Sequence, residues 1–256
     1  MTMKSYRSIL LVCILLARPL FAYIDISPIE IGQHPATSGS LALSLSNQRG
    51  NTNKSDMGVN INLRYDSNTT YALWLLGGYN YTHIPGVQIE NRGFAHLRYL
   101  YKIEDPLYAE TYLQTENNKL REIQNRSLIG TGIRYRFYDN SKYGRIYLGI
   151  GLLYEYLRFS NTQVDPTEYN LRGNNYLHYT KRLKNKTEIN AFIYYQPNIR
   201  AWGDYTIHSI AELQTPIFEN FYLLLRFFND YDSTPPKNNQ VKQYDVSQRI
   251  SLMWKF

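Results

Sequence analysis

The chain has 256 residues, 25 of them tyrosine, a polar mean hydropathy of −0.45 and a formal charge of +7. A single cysteine, Cys13, excludes a disulfide framework and thiolate metal sites. The charges are scattered, with no basic run interleaved with aromatics, so no nucleic-acid partner is expected.

Residues 1–22, MTMKSYRSILLVCILLARPLFA, have the form of a secretory signal. Lys4 and Arg7 make a positive start, and the apolar core from Ile9 to Ala17 is too short to span a bilayer. Cleavage is expected near Ala22, which removes Cys13 and leaves 25 basic residues against 21 acidic, or +4. Val12 is bulkier than the small residue that lipoprotein processing at Cys13 would need. Residues 23–36 then form a short segment, a lead on the periplasmic side or a plug in the mouth, ahead of a domain over 37–256.

From there the chain is a series of short alternating runs. A period of two puts one set of side chains on each face of a strand. GVNINLRYD sets Val59, Ile61, Leu63 and Tyr65 against Asn60, Asn62 and Arg64. FAHLRYLYKI sets Ala95, Leu97, Tyr99, Tyr101 and Ile103 against Phe94, His96, Arg98, Leu100 and Lys102. The same holds for RSLIGTGIRYRFY, RIYLGIGLLYEYL and TEINAFIYYQ, and each apolar face is free of charge. Twelve such runs are expected, near 38–48, 54–66, 70–82, 89–103, 107–117, 126–138, 145–159, 168–183, 187–196, 204–215, 221–231 and 241–256.

The links alternate between short turns (67–69, 104–106, 140–143, 184–186, 219–220) and longer polar stretches (49–53, 83–88, 118–125, 160–167, 197–203, 232–240). Prolines are expected in the links or at strand ends, where no ladder hydrogen bond is lost. These features predict an all-β fold: a transmembrane up-and-down antiparallel barrel of about 12 strands in a bacterial outer membrane, both termini periplasmic. A soluble sandwich is the competing fold, but it would not need uncharged faces on nearly every strand. The chain ends on SQRISLMWKF, with Ile250, Leu252, Trp254 and Phe256 on one face. Terminal aromatics on such a strand suit the lipid interface and form the expected insertion signal, read by the outer-membrane assembly machinery. Outer-membrane lipid and that machinery are the expected partners.

SGSLALSLSNQRGNTNKSDMGVNINLRYD, with Gly-Asn-Thr after the first strand, resembles the start of the salt-induced outer-membrane proteins, a bacterial family of unknown function. NRGFAHLRYLYKIEDPLYAETYLQTENNKLREIQNRSLIGTGIRYRFYD continues the resemblance, with Gly130, Gly132 and Tyr135 standing in a Gly-x-Gly-x-x-Tyr strand. The resemblance implies an architecture, a location and an envelope or stress role. It implies no catalytic residue.

The alternation points Arg64, Arg98, Lys102, Glu110, Arg134, Arg136, Glu155, Arg172, Arg182, Glu188, Glu212, Arg226 and Arg249 inward, with Glu116 and Lys255. Two readings of this lumen stand: a mutually neutralising network that fills a narrow barrel, or an anion-favouring pore for small solutes. Catalysis ranks below both. His96, His178 and His208 fall on polar faces without the serine arrangement of an outer-membrane lipase, and His208 with Glu212 reads as a structural pair. No catalytic residue, cofactor or metal is expected. On the strand over 145–159, Ile150 is expected in lipid, where lysine would cost about 2–4 kcal/mol, and Glu155 in the lumen, where a change to glutamine would cost less.

Overall fold

Twelve strands account for nearly all of the described residues, which in this computed structural model are 31–32, 36–48, 54–84, 87–119, 122–160, 167–235 and 242–256. They are β1 (Ala36–Gln48), β2 (Lys54–Asp66), β3 (Tyr71–Ile84), β4 (Val87–Glu104), β5 (Leu107–Asn118), β6 (Ile123–Asn140), β7 (Gly144–Phe159), β8 (Thr167–Arg182), β9 (Glu188–Asn198), β10 (Ala201–Phe218), β11 (Phe221–Asp232) and β12 (Tyr244–Lys255). Each pairs with its sequence neighbours, and β12 returns to β1 to close a 12-strand barrel. The signal segment with Cys13 and Ala22, and most of 23–36, lie outside the described residues.

The alternation has the polarity of a barrel in lipid. Ile61, Leu75, Leu97, Ile133, Ile150, Leu177, Ile193 and Leu252 are exposed on the outside. In the same strands Arg64, Arg98, Arg134, Glu155 and Ser251 are buried inside. Water would drive the opposite arrangement; only an apolar solvent makes an apolar exterior the stable one. Tyrosines cluster at the two rims of this band. Tyr71 sits 5.9 Å from Tyr65 and 5.7 Å from Tyr99 at the end that holds Ala36 and Lys255, called the near end below. At the far end Tyr156 meets Tyr169 at 5.4 Å, and Tyr205 lies 5.7 Å from both Tyr195 and Tyr231.

Two expectations change. The contrast between short and long links is confined to 160–166 and 233–243, because strands run on through stretches expected to be loops. Ile84 pairs with Val87 and Asn198 with Ala201, so the hairpins at 83–88 and 197–203 close tightly. Pro197 is also not in a link: it lies within β9, while Pro216, expected at a strand end, stands two residues before the end of β10. Each sits beside a register shift, between Ala201 and Tyr205 and between Pro216 and Phe218. A bulge interrupts the ladder where proline has no N–H to give. Pro85 and Pro166 lie outside the described residues.

Closure is uneven. β1 and β12 pair only from Ser40↔Lys255 to Leu43↔Leu252, reinforced by two backbone bonds between Gly39 and Phe256 (2.8 and 3.0 Å). Every other ladder is at least twice as long, the shortest joining β8 to β9.

Candidate functional site: a divided lumen

Inward side chains of β4 to β10 fill one flank of the barrel. Arg98 is ion-paired with Glu110, and the Tyr176 hydroxyl joins them: it accepts from Arg98 Nη2 at 3.2 Å and donates to Glu110 Oε2 at 3.0 Å. Toward the far end, Glu155 accepts from Arg126 Nε at 2.5 Å and from Arg172 Nε at 3.1 Å. Arg126 continues to Glu116 (3.2 Å) and Arg172 to Asp204 (3.0 Å), making a chain of alternating charge across five strands. Charges this deeply buried persist only when paired.

Aromatic rings fill the space between. The Arg134 guanidinium lies 3.9 Å above the Tyr147 ring, and His178 stacks on Phe192 at 4.1 Å with an interplanar angle of 3°. Tyr176, Phe192, Tyr194, Ile210 and Phe228 form one buried cluster. Glycine makes the room: a Cβ on Gly130 would strike the Tyr112 ring, and one on Gly149 the Tyr176 ring. The first glycine of each Gly-x-Gly pair therefore seats a tyrosine inside the barrel, while Gly132 and Gly151 let the β6 and β7 backbones approach each other.

The other flank, along β11, β12, β1, β2 and β3, is hollow, and at the near end the hollow spreads across to the inward residues of β7 to β10. A cavity of about 800 Å³ reaches from the near-end mouth at Lys255 and Phe256 up to Asn80 and Arg92. Eight cationic side chains line it (Arg64, Arg92, Arg145, Lys181, Arg182, Arg226, Arg249 and Lys255) against three carboxylates, Asp139, Glu188 and Glu212. Several are paired: Arg226 with Glu212 at 2.8 Å, and Arg182 and Lys255 with the same Glu188 at 3.7 and 3.6 Å. Arg64 bonds Asp66 at 2.5 Å and Arg92 approaches Glu116 at 3.7 Å. Even with Asp66 and Glu116 included, cations lead eight to five.

At the near end Ile31 and Gly32 of the 23–36 segment are described, besides Ala36, which opens β1. The Gly32 N–H donates to the buried Asp66 carboxylate at 2.9 Å, and Ile31 packs on Ala72, Trp74, Leu100 and Tyr108. Those contacts place Ile31 and Gly32 at the near end, against β2 to β5.

The residues expected in the lumen divide between the two flanks. Arg98, Glu110, Arg134, Glu155 and Arg172 are buried in the packed flank. Arg64, Arg182, Glu188, Glu212, Arg226 and Arg249 line the cavity. Arg136 bonds Asp105 at 2.6 Å at the near-end rim, and Lys102 is half-buried beside it. The expected pairing of His208 with Glu212 does not form: His208 Nδ1 meets Asp230 at 2.8 Å, while Glu212 bonds Arg226 and Asn190. A hydrogen bond across neighbouring strands is closer than one between two positions on the same face of one strand. Arg92 and Arg126 were missed, although they share the phase of Arg98 and Arg134 along their strands. Asp204 was missed as well, although it opens the run expected over 204–215 and shares the phase of His208 and Glu212.

The protein-family model described as "Protein of unknown function, DUF481" matches residues 41–256. The chain belongs to the DUF481 family. That description carries no salt-induced designation. No curated protein matches the sequence. Among solved structures, the KdgM porin is 11% identical with a TM-score of 0.47, over 86% of this chain and 99% of its own. The translocator domain of the autotransporter NalP from Neisseria meningitidis is 12% identical with a TM-score of 0.47, over 86% of this chain and 88% of its own. A bacterial polysaccharide outer membrane secretin is 7% identical with a TM-score of 0.44, over 87% and 98%.

Proposed function

We propose that this DUF481 protein is an integral outer-membrane barrel, its near end periplasmic, that admits small anionic solutes through the hollow flank of its lumen. The cavity of about 800 Å³ with eight cations against three carboxylates carries the proposal. Low-dielectric walls focus the field of those cations, so anions concentrate in the cavity and cations are kept out. The packed flank narrows the passage and holds the cationic wall in place. No catalytic step is assigned, and the assembly machinery is read as the partner of the terminal strand. Membership of a salt-induced group, an envelope-stress role and cleavage near Ala22 remain part of the same proposal.

Planar-bilayer recording tests it. Purified protein under a salt gradient should give small steps whose reversal potential favours chloride over potassium, and Arg226→Glu with Arg249→Glu should weaken or invert that preference. Silence, or cation preference in the unaltered protein, would leave only the structural role first weighed from the sequence.

A further inference from the structure

The ladder that closes the barrel stops halfway. Continued in register beyond Leu43↔Leu252, it would set Ser44 against Ser251, Leu45 against Ile250 and Gln48 against Ser247, but none of these pairs forms. β1 goes on to Gln48 on the β2 side and β12 begins at Tyr244 on the β11 side, so both strands pass through the far half with a gap between them. In lipid, a strand edge without a ladder partner is costly, and barrels ordinarily close to abolish it.

The side chains at the gap suit a lipid-facing opening. Leu45 and Ile250, which would pair if the seam were zipped, are 79% and 65% exposed on the outer surface. Directly inside lies the cavity, lined at this level by Arg226, Phe228 and Arg249, with Ala42, Asn60 and Met253 next to them in the sealed half. The near half stays sealed by its four pairs and the Gly39–Phe256 bonds. A molecule that enters from the membrane therefore meets two apolar lips first and guanidinium groups next. That order matches acyl chains followed by an anionic headgroup.

We propose that the far half of the β1–β12 seam is a lateral port, through which an anionic phospholipid places its phosphate in the cationic cavity while its chains remain between Leu45 and Ile250. A hydrophilic solute has no reason to cross those lips, so the port serves lipid and the near-end mouth serves solutes. The inference shares with the solute reading only the cationic cavity.

The test uses full-length protein in phosphatidylcholine vesicles with a minority of phosphatidic acid. Phe228, buried and cavity-lining, is replaced by the photoreactive benzoylphenylalanine. Lipid adducts should favour phosphatidic acid by roughly tenfold over its share of the bilayer, the factor one charge-assisted hydrogen bond supports. A Leu45→Cys/Ile250→Cys pair should abolish these adducts on oxidation and restore them on reduction. A Leu43→Cys/Leu252→Cys pair, already joined by the ladder, should leave them unchanged. Independently of any disulfide, Arg226→Gln with Arg249→Gln should bring the preference down to parity. Adducts that survive the seam lock, equal labelling of both lipids, or a preference kept without the two arginines would each overturn the proposal. Conductance recorded on the same samples separates the two readings, since the lock should leave the near-end mouth open. A silent protein whose adducts still vanish on oxidation would defeat the solute reading and leave the port standing.

Discussion

Ile150 and Glu155 stand five residues apart on β7 and face different solvents. Ile150 is 71% exposed on the outer surface, whereas Glu155 is 2% exposed between Arg126 and Arg172. Lysine at 150 should cost about 2–4 kcal/mol near the bilayer midplane. The expectation that Glu155→Gln would be the milder change does not survive the structure. Neutralising Glu155 removes the negative charge that two buried arginines share and leaves one oxygen where there were two, and breaking such a buried pair costs about 3–5 kcal/mol. Folding free energies into lipid vesicles should therefore show both variants impaired, with Glu155→Gln at least as harmful as Ile150→Lys. The inward phase of Glu155 was legible in the alternation. Its partners were not, because Arg126 lies 29 positions earlier and Arg172 17 later, and nothing local ties them together.

At the scale of an element, β12 joins three roles. Its outward face carries Ile250, Leu252 and Trp254, and the Trp254 and Phe256 rings meet at 4.9 Å at the near-end rim. Phe256 also exchanges two backbone bonds with Gly39, and its ring covers the space a Cβ on Gly39 would need. Deleting Phe256 removes both bonds from a seam that has only four ladder pairs beyond them. The expected outcome is a sharp fall in membrane-inserted protein, read by fractionation and immunoblot, with Trp254→Ser plus Phe256→Ser showing the same defect. Normal membrane levels in both would mean that the ending is incidental to closure and insertion. The aromatic alternation of this strand was plain in the sequence. That it closes the barrel over so short a ladder was not, since the register between first and last strands depends on the stagger accumulated around all twelve.

For the whole molecule, closure predicts a simple signature. A barrel held by a continuous ring of ladders resists detergent until heated, so unboiled protein should migrate faster than boiled protein on a denaturing gel. Identical mobility, or recovery in the soluble fraction, would contradict the membrane reading.

The sequence by itself determined that the chain is a barrel: twelve alternating runs, each with an uncharged face, admit no other economical burial when solvent and core exchange places. It also determined which side chains point inward, because a period of two is a local property of the strand. Tertiary structure alone decided that one flank of the lumen is packed and the other hollow. Arg98 and Arg226 are alike in sequence, both arginines on an inward face. Yet Arg98 is sealed between Glu110 and Tyr176 while Arg226 lines the cavity. What surrounds an inward residue is set by strands dozens of positions away, and the width of the seam by the sum of eleven registers. Neither quantity is written in any stretch of the chain short enough to read locally.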